Sequence, residues 1–165
     1  MVRCLSDDAT KTLVQAFVAS RLDYCNSLCF GITNELFCRM QSVENAAGRL
    51  VTGAKRSDHI SPVLRQQHWL PVWQRVVFKL ATLVHWSLSG LAPGYLAVDC
   101  QLVTDARARL LRSADTRTLT VHGTSSCIGD RTFAAAATIV WNSLPADLLN
   151  AELSYSQFRW SLKTF

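Results

Sequence analysis

Between Val72 and Ser89 the chain places Val72, Val76, Val77, Leu80, Leu83, Val84 and Leu88 around most of a helical circumference. One narrow polar stripe remains, made of Arg75, Lys79, Thr82 and Ser89. A helix that is apolar on nearly every side has to be surrounded by other elements. The segment therefore predicts a central core helix, opened by Pro71 and ended by Gly90 and Pro93. With 165 residues the chain is long enough to build one domain around such a helix. Charged residues make up only 18% against 49% hydrophobic, which excludes wholesale disorder. So apolar a chain with five Trp predicts either unusually complete burial or an apolar face kept for something else.

The other elements follow from caps and periodicity. Ser6 or Asp8 caps a first helix expected to run from about Asp7 to Phe30, with Gly31 as its stop. Such a helix would be about 36 Å long, close to the ~40 Å diameter of the whole domain. Its apolar residues Leu13, Phe17, Val18, Leu22, Tyr24 and Leu28 exceed what one small core can cover, so exposure and self-association are expected. A second helix, from about Asn34 to Thr52, puts Leu36, Met40, Val43, Ala47 and Leu50 on one face and ends at Gly53. Gly48 inside it marks either a close-packed neighbour or a weakness. Ser61-Pro62 starts a short helix toward His68. From 105 to 130 the pattern weakens, and the alternation Thr118-Leu119-Thr120-Val121 beside Gly-containing turns predicts a short strand or hairpin. An Ala-rich helix then runs from Thr132 to Leu144, and Ser154 with Gln157 forms a capping box for a last helix bearing Phe158 and Leu162.

The expected fold is mainly α, an irregular helical bundle with a short β-hairpin near residues 117–128. Its expected organisation is a helical segment over 1–104, an Arg-containing loop or hairpin over 105–130, and a C-terminal helical segment over 131–165 packed on the first as one domain. The charge-free stretch Leu80 to Val98 is long enough for a membrane span, but His85, Gly90, Pro93 and Gly94 interrupt it, so no membrane role is expected. Asp7, Asp8 and Lys11 stand where the apolar part of a secretory signal would lie, which predicts an intracellular protein with its six cysteines reduced.

Catalytic constellations are missing from the sequence. Asp7-Asp8 matches the paired carboxylates of two-metal phosphoryl transfer, but the pair opens a helix and has no third carboxylate upstream, so helix capping is expected of it. Cys25, Cys29 and Cys38 have no Cys-x-x-Cys spacing, and His59, His68, His85 and His122 are scattered. No nucleophile elbow, P-loop or dinucleotide fingerprint is present. The sequence thus predicts no catalytic residue, no metal and no cofactor.

Two basic groups remain, Arg49, Lys55, Arg56 and Arg65 near the end of the second helix, and Arg107, Arg109, Arg112 and Arg117 in the weak segment. Each nets +3 once Asp58 and Asp115 are counted, within a chain of net charge +5. Loops rich in Arg suit sequence-independent contact with phosphates. Arg107, Arg109, Arg112 and Arg117, with Lys55 and Arg56, are therefore the expected nucleic-acid contacts, the second group ranking slightly above the first.

Four stretches together resemble the C-terminal tail of LINE-type non-LTR retrotransposon polyproteins, the region that follows the reverse-transcriptase palm. They are Leu13 to Leu28 (LVQAFVASRLDYCNSL), Arg39 to Val72 (with HWLPV at its end), Ser89 to Leu96 (SGLAPGYL) and Gly129 to Pro145 (with WNSLP at its end). The resemblance implies a helical, thumb-like segment that accompanies an RNA-directed DNA polymerase and helps to hold template and growing strand. The family's metal-binding aspartates and endonuclease lie upstream of this region, so it implies no activity for any residue here. Expected partners are an RNA or DNA backbone and either the missing palm or a second copy, through the apolar face. A purely structural or protein-interaction module is the alternative. Departures from the family pattern are Gly48, Trp73 and the uncharged stretch Gly123 to Ile128.

Overall fold

A computed structural model describes residues 5–106, 117–150 and 152–164. The protein is mainly helical, and it divides into two compact units, Met1–Val76 and Val77–Phe165.

The first unit begins with helix α1 (Asp7–Val14), whose cap Ser6 accepts from the Ala9 N–H at 3.3 Å while Asp7 and Asp8 sit in the first turn. The chain then widens into a π-helical turn over Gln15–Ala19 and closes with α2 (Ser20–Asp23). Directly after the π turn the Ser20 hydroxyl donates back to the Ala16 carbonyl, a local competitor for the helical bonding pattern. The expected helix to Phe30 ends at Asp23, seven residues early, where Tyr24 turns to extended backbone. Cys25 takes a left-handed conformation at φ +52°, and a short 3₁₀ turn over Asn26–Cys29 follows. The apolar excess of this segment is exposed at Leu13, Phe17, Tyr24 and Leu28, as its composition predicts.

Helix α3 (Asn34–Thr52) has the predicted bounds and ends at Gly53, whose φ of +69° is readily adopted only by a residue without a Cβ. Its orientation departs from expectation, since Leu36, Val43 and Leu50 face solvent. The buried stripe is instead Glu44, Ala47 and Gly48, with Gln41 half-buried beside it. A short helix, α4 (Ile60–Gln66), packs across Gly48, where an added Cβ would lie 3.4 Å from Val63 Cγ1 and 3.5 Å from Leu64 Cδ2.

Helix α5 (Val72–Leu88) contributes Val72 and Val76 to the core of the first unit and Leu80, Ala81 and Val84 to that of the second, all nearly devoid of solvent contact. Its predicted polar stripe is only partly wet. Lys79 and Ser89 are exposed, whereas Thr82 is buried with its hydroxyl bonded to the Phe78 carbonyl at 2.6 Å.

In the second unit two short helices follow, α6 (Gly94–Asp99) and α7 (Val103–Ala106). No hairpin forms over 117–128. Leu119 makes a single antiparallel bridge with Leu102, and its outer N–H and C=O are both taken by the Asn142 side-chain amide, each at 2.8 Å. An amide side chain thus supplies both bonds that a neighbouring strand would have made. Asn142 ends α8 (Phe133–Asn142), whose Ala135, Ala136 and Ala137 are buried. The last helix, α9 (Tyr155–Thr164), starts at the predicted capping box. The Ser154 N–H donates to Gln157 Oε1 at 3.0 Å and the Gln157 N–H to Ser154 Oγ at 3.4 Å.

Phe158 of α9 lies against Trp141 of α8 and His85 of α5, with ring centroids 5.9 and 4.5 Å away. Trp141 is fully buried, and its indole N–H donates to the Arg117 carbonyl at 2.7 Å.

Candidate nucleic-acid interface

The basic group after α3 is a folded turn. Thr52 bonds back to the Gly48 carbonyl at 2.9 Å, Gly53 reverses the chain, and residues 54–58 return along the end of the helix. Arg49 reaches over this turn, its Nε donating to the Lys55 carbonyl and its Nη2 to the Asp58 carbonyl, both at 3.3 Å. The Asp58 carboxylate, exposed on the turn, accepts from the Lys55 N–H at 2.8 Å. The one acid of the group thus ties the turn together without forming an ion pair with its cations. Lys55 and Arg56 stay exposed with no carboxylate in ion-pair range among the described residues, and Arg65 is exposed on α4.

Arg117 is placed otherwise. It is half-buried, its Nη2 reaches the Leu88 carbonyl at the C-terminus of α5 at 3.5 Å, and its own carbonyl holds Trp141. Arg107, Arg109 and Arg112 lie outside the described residues. Of the six expected contacts, then, Lys55 and Arg56 are brought together in one turn of the first unit, while Arg117 belongs to the second.

Sequence reasoning missed the group that organises the first unit. Arg75, placed in a polar stripe, points its Nη1 at Asp23 Oδ1 at 2.7 Å and its Nη2 at Glu44 Oε1 at 2.8 Å. Its Nε donates to the Leu70 carbonyl at 2.7 Å, and its guanidinium lies 6.0 Å from the Trp69 ring. Glu44 Oε2 accepts from Gln41 Nε2 at 2.8 Å, and Gln41 Oε1 accepts the Val72 N–H at 2.9 Å, one of the free donors that open α5. Burial raises the Glu44 pKa above its ordinary value, with Arg75 and Gln41 pulling the other way. The signal available in the sequence was the i, i+3 pair Gln41 and Glu44 on a helix otherwise read by its apolar residues.

Among the described residues two other titratable groups are displaced from their ordinary values. Burial lowers the pKa of His85, against a hydrogen bond with the Leu153 backbone, and Arg117 lowers it further. Burial pushes the Cys100 thiol up, which keeps it protonated and unreactive. Asp7 and Asp8 are exposed at the end of α1, and among the described residues no group of three or more His, Cys, Asp or Glu could hold a metal ion. No helix of the described residues is long and apolar enough to cross a membrane.

An aromatic cleft of about 420 Å³ lies in the first unit, lined by Phe30, Ile32, Asn34, Phe37 and Trp73. Trp73 stacks on Phe30 at 5.9 Å and meets Phe37 edge-on at 5.3 Å, which makes the cleft apolar and leaves it with few polar groups to select a ligand.

Comparison with protein-family models, with curated proteins and with solved structures finds no match for this chain.

Proposed function

We propose that this protein is a catalytically silent helical segment of the kind that follows the palm in non-LTR retrotransposon reverse transcriptases, and that it binds a nucleic-acid backbone weakly and without sequence preference. The observation that carries the binding is the turn after α3. There the Asp58 carboxylate is bonded by the Lys55 N–H, and Lys55 and Arg56 face water with no carboxylate in ion-pair range among the described residues. A pair of free cations on a turn pinned by Arg49 suits phosphate contact, because little ordering is needed on binding. Support for the family reading comes from where its motifs fall. Asp23 of SRLDYCNSL, Gln41 and Glu44 of the second stretch and Leu70 of HWLPV all meet in the network around Arg75, and Trp141 and Asn142 of WNSLP hold the segment 117–119.

The purely structural or protein-interaction reading has one observation of its own, the exposure of Phe17, Tyr24 and Leu28 along the first helical segment. One set of measurements separates the two. Fluorescence anisotropy with a labelled single-stranded 20-mer should show binding at low salt, weakening as salt rises. Lys55→Ala with Arg56→Ala should flatten the slope of log affinity against log salt by about 1.4, at ~0.7 per phosphate. Primer extension on an RNA template should stay at background. No binding at low salt, together with concentration-dependent sedimentation that Phe17→Ser abolishes, would replace this proposal with the interaction module.

A further inference from the structure

The outward side of α9 presents Ser156, Arg159, Trp160 and Lys163, four exposed residues at helical spacing that line a shallow cleft of about 220 Å³. The helix already satisfies its core on the opposite side, through Phe158 and Leu162. Trp160 is therefore surplus to packing, and 71% of its surface is in solvent. Arg159 is oriented as well as exposed. Its guanidinium lies 5.5 Å from the Tyr155 ring, and Tyr155 is itself held against Trp86 at 5.3 Å and His85 at 5.9 Å. No acidic residue occurs in α9, and among the described residues neither Arg159 nor Lys163 has a carboxylate partner.

We propose that this face binds a single nucleic-acid strand, with one unpaired base stacked on the Trp160 indole and the flanking phosphates met by Arg159 and Lys163. An exposed flat ring between two unneutralised cations matches the alternation of base and phosphate along a strand, and stacking tolerates any base because each has a π-face. The two cations are one turn apart, about 6 Å along the helix axis, so a flexible strand can meet both while its base reaches the ring between them. The Ser156 hydroxyl, one turn before Trp160, adds a donor beside the sugar or phosphate. A duplex has its bases covered and gains only the charge contacts, so preference for single over double strands is the signature of this face. An anionic lipid surface is the competing occupant. It is disfavoured because an interfacial helix needs a broad apolar face, and here Trp160 stands alone while Phe158 and Leu162 are buried. The site shares its ligand class with the turn at Lys55 and Arg56 but none of its residues.

The test uses the full chain, a labelled ten-residue oligouridylate and a ten-base-pair duplex, both at low salt. Oligouridylate should bind more tightly than the duplex. Trp160→Ala should weaken oligouridylate binding about tenfold and leave duplex binding unchanged, and Trp160→Phe should restore most of the loss. Arg159→Ala with Lys163→Ala should lower the salt slope for both. Lys55→Ala with Arg56→Ala should leave the preference for single strands in place, which separates this site from the turn after α3. Oligouridylate binding unchanged by Trp160→Ala, in a variant whose circular dichroism matches the parent, would overturn the proposal. So would Trp160-dependent binding to phosphatidylserine-containing vesicles without binding to oligouridylate.

Discussion

Among the largest fully buried side chains, the first unit contributes a glutamate, Glu44, and the second contributes Trp141 and Phe158. Around Glu44 the neighbours are Arg75 and Gln41, and the apolar core beside them consists of Val14, Ala19, Ala47, Val63, Leu64, Val72 and Val76. Around Trp141 and Phe158 the core includes Leu80, Val84, Leu119, Val140, Leu144 and Leu149. Charge pairs fix geometry, because an Arg with three acceptors has one productive position. They contribute little net stability, because desolvation offsets much of the attraction. Apolar burial is less directional and more stabilising. The first unit thus gains its arrangement from Arg75 and exposes Phe17, Tyr24, Leu28, Val43 and Trp73. The second unit gains its arrangement from the packing of Trp141 and Phe158, and leaves Leu91, Tyr95, Ile128 and Trp160 outside that core.

The sharpest test removes the centre of each unit. Trp141→Ala should cost about 3 to 5 kcal/mol, the usual range for truncating a buried aromatic, and it also leaves the Arg117 carbonyl without its donor. Set against a whole-domain stability of ~5 to 15 kcal/mol, this should nearly unfold the second unit. Glu44→Ala should cost about 3 kcal/mol, at the low end of the range for breaking a buried pair, because Asp23 still faces Arg75. Glu44→Gln should cost less than Glu44→Ala, since it keeps an acceptor and the volume. Denaturant unfolding, with amide exchange read separately in α3 and α8, measures both. A Glu44→Ala loss below about 1 kcal/mol would show that the pair does not organise its unit.

The next test is pH, where the two units should respond with opposite sign. The folded state lowers the pKa of His85 and so favours its neutral form. Its contribution is complete above the ordinary value of 6.5 and falls as pH drops from there through the lowered value. The folded state raises the pKa of Glu44 and favours its neutral form too. Its contribution is complete below the ordinary value of 4.5 and falls as pH rises through the raised value. Going from about pH 7.5 to about pH 5.5, exchange protection in α8 should therefore decrease, while α3 should hold or gain. Parallel loss in both helices would remove the contrast.

Features that depend on nearby residues were legible in the sequence. The bounds of α3 follow from Gly53, the start of α9 from Ser154 and Gln157, and the central place of α5 from its own apolar residues. What escaped depends on residues far apart in the chain. Gln41 and Glu44 face inward only because Val72 and Arg75, about thirty residues on, receive them there. That pairing turns Leu36, Val43 and Leu50 outward against the apolar pattern. Leu119 forms no hairpin because Asn142 fills the place of a strand. The early end of the first helical segment has no glycine to announce it, since Cys25 takes the left-handed position. In the candidate interface the cations Lys55 and Arg56 were legible as charge, but the bond from the Lys55 N–H to Asp58 was not. The spacing of Arg159, Trp160 and Lys163 is visible in the sequence, but nothing local separates them from an ordinary solvated face opposite Phe158 and Leu162.

The smallest expected effect concerns Gly48, where the first unit has room to gain apolar contact without touching its charge network. A glycine inside a helix costs about 1 kcal/mol relative to alanine. That cost is justified only where the missing Cβ lets another element approach. Here the added methyl would stand 3.4 Å from Val63 Cγ1 and 3.5 Å from Leu64 Cδ2, ordinary contact distances to side chains rather than to backbone. Gly48→Ala should therefore keep α4 in place, add apolar contact at the α3–α4 crossing and raise stability by about 0.5 to 1 kcal/mol. The gain should appear as slower amide exchange along α3, with α8 unchanged. A destabilised variant would mean that Val63 and Leu64 leave no space for the methyl even at these distances. The crossing of α3 and α4 would then be as closely specified as the aromatic core of the second unit, and the contrast between the units would be confined to the surroundings of Arg75.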